Sequence, residues 1–210
     1  MWTIRFILIG MLGTVVFVCW HILRHRSRYK RLPESKISNI AIVIVYQSLC
    51  YLVVVLPSAG SGNHHPDWLE YRSVCVGFAV MGSVLICAGI VLSLITLRQR
   101  KAIGMQDIKE GLLTSGVYRY FRHPIYTGII WITLGLALVT RNPDGLLMFP
   151  GVFAINFALS LSEERNDMGI RYHEQYVAYK QAVRMFGPIW LWCILIAMLL
   201  LLTGLGLIAP

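Results

Sequence analysis

Apolar residues in this chain fall in long, nearly unbroken runs, several of them close to the roughly 20 residues that a helix needs to cross about 30 Å of hydrocarbon. Thr3 to Leu23, Ser38 to Leu56 and Ser73 to Leu97 are predicted spans of this kind. Ile125 to Thr140 and Leu146 to Leu161 are shorter, and between them Arg141-Asn142-Pro143-Asp144-Gly145 is a turn by composition, so the pair is predicted to form a helical hairpin. Ile189 to Ile208 is apolar throughout, follows Gly187-Pro188, and is a predicted sixth span. The fold class is therefore all-α, a polytopic membrane helix bundle of five to six spans. Three parts follow: three spans over 1–97, a core of polar segments around the hairpin over 98–188, and an apolar C-terminal span over 189–210.

Composition supports this reading: 57% of residues are apolar and 14% charged, where soluble domains carry about 25% charge. The formal charge of +9 is distributed in a way that orients the chain. Arg24, Arg26, Arg28, Lys30, Arg31 and Lys36 follow the first span. Arg98, Arg100, Lys101, Lys109, Arg119 and Arg122 precede the hairpin, and Arg165, Arg171, Lys180 and Arg184 follow it. Six crossings place all three basic groups on one face, the cytoplasmic one by the positive-inside rule. The charge forms no continuous basic helix, so nucleic acid is not an expected partner. Cys19, Cys50, Cys75, Cys87 and Cys193 lie in or beside apolar runs without metal-ligand spacing and read as small buried hydrophobes. His64 and His65, adjacent in the loop from Pro57 to Arg72, lack the further ligands a metal needs, so no metal is expected. The first span has no small-residue cleavage site before its basic cluster and is expected to be retained.

Two polar segments, residues 98–124 and 162–188, meet the same end of the hairpin and must be neighbours. In the first, Thr114-Ser115-Gly116 offers a turn with free N–H groups, Tyr118, Tyr120 and Tyr126 offer rings and hydroxyls, and His123-Pro124 sits where a helix would begin. In the second, Glu163 and Glu164 close the hairpin's second helix, where acids oppose the helix dipole. That position calls for a cationic or hydrogen-bonding partner: an ammonium, a sulfonium or a ribose diol, or Arg119, Arg122 or Arg165. From Gly169 to Val183, Tyr172, Tyr176, Tyr179 and Val183 mark one face of an amphipathic helix expected on the membrane surface. Ionisable clusters at the membrane interface are functional by default.

LLTSGVYRYFRHPIYTG followed one hairpin later by EER and YHEQYVAYKQAV resembles the integral membrane methyltransferases typified by isoprenylcysteine carboxyl methyltransferase, with the related phospholipid methyltransferases. The resemblance covers about residues 108 to 186. It implies S-adenosylmethionine as cofactor, in a pocket between the cytoplasmic segments and the hairpin. It also implies adenosine contacts at Glu110, Leu112 and Leu113, an aromatic contact at Tyr118, and contacts to the methionine part and ribose at His123, Pro124 and Tyr126. The cofactor-binding glutamate falls on Glu164, with Glu163 as the neighbour one register away. Family members commonly have histidine where this chain has Glu110. The prenylcysteine branch has an arginine shortly before the glutamates, but Ala158 to Ser162 contains none, which argues against a prenylated cysteine carboxylate as acceptor.

Transfer from a sulfonium needs positioning and a dry pocket more than covalent help. His123 and Arg122 are assigned to orienting the reactants, Arg119 to substrate charge, and His123 or Tyr126 to removing a proton from an amine or thiol acceptor. The expected partner is a membrane lipid or other lipophilic acceptor. A sterol-type reductase using NADPH is a rival, but it usually has asparagine where this chain has Ile125. A small transporter or assembly factor would carry facing ionisable groups at mid-membrane, and these spans carry almost none.

Overall fold

The structure is a computed structural model that describes residues 72–102, 112–141 and 143–208, together with 48, 51 and 52. The spans predicted at Thr3 to Leu23 and Ser38 to Leu56, the loop before Arg72, and Glu110 lie outside the described residues. Within them every element is helical: α1 (Arg72–Ala102), a short 3₁₀ turn (Gly116–Arg119), α2 (Pro124–Val139), α3 (Pro143–Glu163), a π-helical turn (Glu164–Met168), α4 (Gly169–Ala182) and α5 (Ile189–Ile208).

Two stretches among the described residues, Arg72–Arg100 and Gly145–Glu163, are long and apolar enough to cross a membrane. Only 28% of either apolar window is buried within the protein, whereas a soluble core helix of that composition would be mostly enclosed. Val76, Val80, Val84 and Val91 on α1, and Ile194, Ile196, Leu200 and Leu201 on α5, are exposed. Such outward apolar surface belongs to a protein solvated by lipid. α5 has 20 residues, about 30 Å of helix, and packs on α1.

The hairpin forms as the sequence predicts, with two differences at its ends. Its turn is shorter than the predicted five residues, because Pro143 opens α3 instead of lying in the loop. Proline suits a first helical turn, where no N–H is needed. Arg141 takes up the reversal with φ of 51°. At the other end, α3 does not stop after Glu163. It continues through the π turn into α4, so the two glutamates lie at a widened helical turn and not at a helix terminus.

α1 and α2 meet along a glycine seam. A Cβ at Gly135 would lie 2.5 Å from Gly82 O, one at Gly82 would lie 2.6 Å from Gly135 O, and one at Gly89 would lie 2.7 Å from Gly128 O. The glycines recur seven residues apart on each helix, so the two backbones touch directly, as small residues allow when lipid gives no hydrophobic drive to association. Val74, Phe78 and Met81 of α1 pack with Leu134 and Leu138 of α2 beside that seam. On α2's other side, Ile129 and Ala137 pack with Val152 and Leu159 of α3. A third cluster, Ile130, Trp131, Leu92 and Phe186, lies beneath the polar end of the hairpin.

Candidate active site

Local backbone geometry aims the motif between the 3₁₀ turn and α2. Gly116 has φ of 60° and lies against the Gln99 amide, leaving no room for a Cβ, and Val117 N donates to Gln99 Oε1 at 3.3 Å. The last turns of α1 thereby anchor the 3₁₀ turn. His123 is the residue before Pro124 and takes an extended φ of −125°, since proline excludes the helical region for its predecessor. Its carbonyl accepts from Thr127 N and from Thr127 Oγ1, both at 3.0 Å. Arg122 N donates to Arg184 O at 3.2 Å and His123 N to Met185 O at 3.0 Å. The chain leaving α4 is thus stitched to the motif from behind, and both side chains turn toward α3.

There they meet the glutamates. His123 Nε2 lies 3.1 Å from Glu164 Oε1 and His123 Nδ1 lies 3.6 Å from Glu163 Oε2. Arg122 Nη1 is 2.9 Å from Glu164 Oε1, and Lys180 Nζ of α4 is 3.3 Å from Glu164 Oε2. Arg122, His123 and Glu164 are buried, the Glu164 side chain to 2% exposure, while Lys180 is half exposed. With a carboxylate at each ring nitrogen, His123 has two acceptors and no donor to serve, which favours imidazolium. Burial pulls its pKa down, but hydrogen bonds to Glu163 and then Glu164 outweigh this and raise it. Burial pushes Glu164 up, yet its hydrogen bond with His123 and the charge of Arg122 leave its pKa lowered. Both directions describe a charged pair.

Several polar atoms here are buried without a well-aligned hydrogen bond: Arg122 Nε, Arg122 Nη1, Glu164 Oε2 and the Tyr176 hydroxyl, the last within reach of Glu164 and Arg122. The Arg122 and Lys180 contacts to Glu164 are thus ion pairs without hydrogen-bond alignment. A buried polar group wholly without a partner costs about 1–3 kcal/mol, and the ion pairs offset part of that here. Burial also raises the pKa of Tyr176, with the Glu164 charge adding to it.

The structure brings Arg122, His123, Glu163 and Glu164 together, with the His123 and Tyr126 rings 5.8 Å apart and Pro124 buried beside them. Tyr118 is buried, and its carbonyl accepts from Tyr179 Oη at 2.6 Å. Burial raises the Tyr118 pKa, and raises that of Tyr179 to about 12. Leu112 and Leu113 are half-buried. Arg119 is exposed at the end of the 3₁₀ turn and does not join the cluster. Three residues are added: Tyr176, Tyr179 and Lys180, all on α4. Their spacing of three and one was legible as a helix face. Tyr176 and Tyr179 face the protein, because α4 folds back over the motif. A kink at His173, with φ of 40°, interrupts α4 ahead of that face.

Comparison with known proteins bears on the same residues. The sequence model of a family described as phospholipid methyltransferase matches residues 78–175, which includes the motif, the hairpin and the glutamates. A methanethiol S-methyltransferase of Bradyrhizobium diazoefficiens is 26% identical, covering 89% of this chain and 68% of the relative. Protein-S-isoprenylcysteine O-methyltransferase A of Arabidopsis thaliana is 24% identical over 69% of this chain and 71% of its own. The protein-S-isoprenylcysteine O-methyltransferase of Saccharomyces cerevisiae is 32% identical over 34% of this chain and 30% of its own. No solved structure matches the chain. The matched segment and the names of these relatives agree with the motif, and the chain is similar to the isoprenylcysteine carboxyl and phospholipid methyltransferases over its motif, hairpin and glutamates.

Proposed function

We propose that the protein transfers a methyl group from S-adenosylmethionine to a lipophilic or small amphiphilic acceptor, at the junction of residues 112–126 with residues 163–180. The observation that carries this reading is the buried Arg122–His123–Glu164 cluster with its unpartnered polar atoms. Those atoms match a ligand that carries a carboxylate, an ammonium and a ribose diol. Arg122, with a free Nε, suits the carboxylate. Glu164, with Glu163 beside it, suits the ammonium or the diol, and Tyr118 offers a ring for the adenine. Leu112, Leu113, Pro124 and Tyr126 supply apolar walls. When bound, the cofactor brings an electrophilic methyl on a positively charged sulfur.

The protein's own part is to hold the reactants in line and exclude water. Pro124 fixes the backbone at His123, and the paired N–H donors of Arg122 and His123 to the 184–185 carbonyls keep both side chains aimed at α3. We assign proton removal from the acceptor to His123. Its pKa is raised, against burial, by Glu163 and Glu164, so an acceptor that must lose a proton reacts faster as pH rises through that raised value. A carboxylate acceptor needs no base and shows no such rise. The site faces the cytoplasm in a multi-pass arrangement, and the acceptor enters from lipid beside the hairpin.

Calorimetry of the purified protein in detergent tests this reading. Heat on adding S-adenosylmethionine, lost in Glu164→Ala and weakened in Tyr118→Ala, is the expected result. No heat from the wild type, under conditions where an authentic family member binds, removes it.

A further inference from the structure

Glu164 is the last of three buried polar positions spaced four residues apart. Asn156 and Ser160 precede it on α3, both fully buried within an otherwise apolar span. Residues four apart share a helix face, so the stripe runs from Glu164 into the hydrocarbon, with Ser160 about 6 Å and Asn156 about 12 Å along the axis. Asn156 Nδ2 donates to Val152 O at 2.8 Å. Its other end, Asn156 Oδ1, is buried without a partner, and so is Ser160 Oγ. Thr127 and Thr133 of α2 are equally buried, yet each donates to the carbonyl four residues back. Ser160 has no such bond.

We propose that Asn156 and Ser160 form the subsite for the polar head of the methyl acceptor, and that they select an uncharged head bearing an O–H, N–H or S–H. This rests on the methyltransfer reading above. Asn156 Nδ2 keeps a second N–H after its bond to Val152 O, but Oδ1 has no partner and needs a donor. A carboxylate has no proton to give to Oδ1 and could meet only the second N–H of Nδ2 and the Ser160 hydroxyl. No lysine or arginine occurs between Gly145 and Ser162 to balance its charge, and an unpaired carboxylate at that depth is heavily disfavoured. A head lodged between the two side chains, about one helical turn apart, reaches both and stays on the Glu164 face. Its hydrocarbon tail then lies among the apolar residues of the hairpin.

Thermal unfolding of the whole protein in dodecyl maltoside, with four probes sharing one chain, tests the subsite. The probes are octanethiol, octanol, octanoate and octyl methyl sulfide, which keeps the sulfur but lacks the S–H. Octanethiol or octanol raises the Tm, while octanoate and octyl methyl sulfide do not. Asn156→Leu and Ser160→Ala reduce that rise and keep the rise given by S-adenosylmethionine. In labelled-methyl assays Asn156→Leu raises KM for the preferred probe about tenfold with kcat little changed. The transferred label resists alkaline hydrolysis, unlike a carboxyl methyl ester.

Octanoate stabilising best overturns the subsite, as does an unchanged probe response in both variants, the result expected if water alone occupies these atoms. A protein stabilised by S-adenosylmethionine and by none of the probes also overturns it, leaving the methyltransfer reading intact. Stabilisation by octanethiol without any response to S-adenosylmethionine keeps the subsite and removes the cofactor assignment. Response to neither removes both.

Discussion

The α1–α2 seam and the α2–α3 polar end share a helix but are held by opposite means. At the seam, Gly82, Gly89, Gly128 and Gly135 remove side chains so that backbones touch, and nothing there carries charge. At the polar end, Arg122, His123, Glu164 and Lys180 bring charge into a buried junction. The seam depends on shape and tolerates no added atom. The junction depends on neutralisation, and its remaining unpartnered atoms give it capacity for a ligand. α2 is therefore rigidly backed on one side and chemically committed at its start, an arrangement suited to presenting His123 in one orientation.

Substitutions should separate the two modes. Glu164→Ala leaves Arg122 and His123 buried without their acid, and breaking a buried pair from one side costs about 3–5 kcal/mol. It should lower the midpoint in thermal unfolding and abolish cofactor heat together. Gly135→Val is expected to cost about 1–3 kcal/mol by overpacking and to lower the Tm. Whatever folded protein remains should keep its affinity for S-adenosylmethionine, because Gly135 lies about 14 Å along α2 from Tyr126. Loss of affinity in folded Gly135→Val would show that the two regions are coupled.

Tyr179→Phe removes the donor to Tyr118 O, worth about 1 kcal/mol. Weaker cofactor binding with little change in Tm is expected, measured by calorimetry on the same preparation. An unchanged affinity would mean that α4 does not position Tyr118.

Acid and base set the smallest effect. His123 has a raised folded pKa, so its contribution is complete below the ordinary 6.5 and is lost as pH rises through the raised value. Glu164 has a lowered one, so its contribution is complete above the ordinary 4.5 and is lost as pH falls through the lowered value. Stability of the junction is therefore greatest between about pH 4.5 and 6.5, with Glu163, Arg122, Lys180 and Tyr176 as the facing groups. A Tm profile that shows this plateau in the wild type and loses its acid limb in Glu164→Gln is expected.

The charged junction was more legible in the sequence than the seam. RHP, the paired glutamates and the interposed hairpin place His123 near Glu164 by chain connectivity alone, since the two ends of a hairpin must meet. Glycines seven apart inside apolar runs gave no comparable signal, because their effect exists only once a second helix lies against them. The continuation of α3 past Glu163 was also hidden. Glu164-Arg165-Asn166-Asp167 reads as a polar stop, but the buried ion pairs hold its first residue within a helical turn.

Sequence alone determined the helical class, the membrane character, the hairpin and the family motif, because span length, hydropathy and the order of polar and apolar segments are properties of a one-dimensional string. Tertiary structure decided that Arg122 and not Arg119 meets Glu164, that α4 turns its tyrosines inward, and that Asn156 and Ser160 continue the Glu164 face with unpartnered oxygens. Those outcomes depend on which side chains share a buried volume, and burial is a relation between segments that no single segment contains.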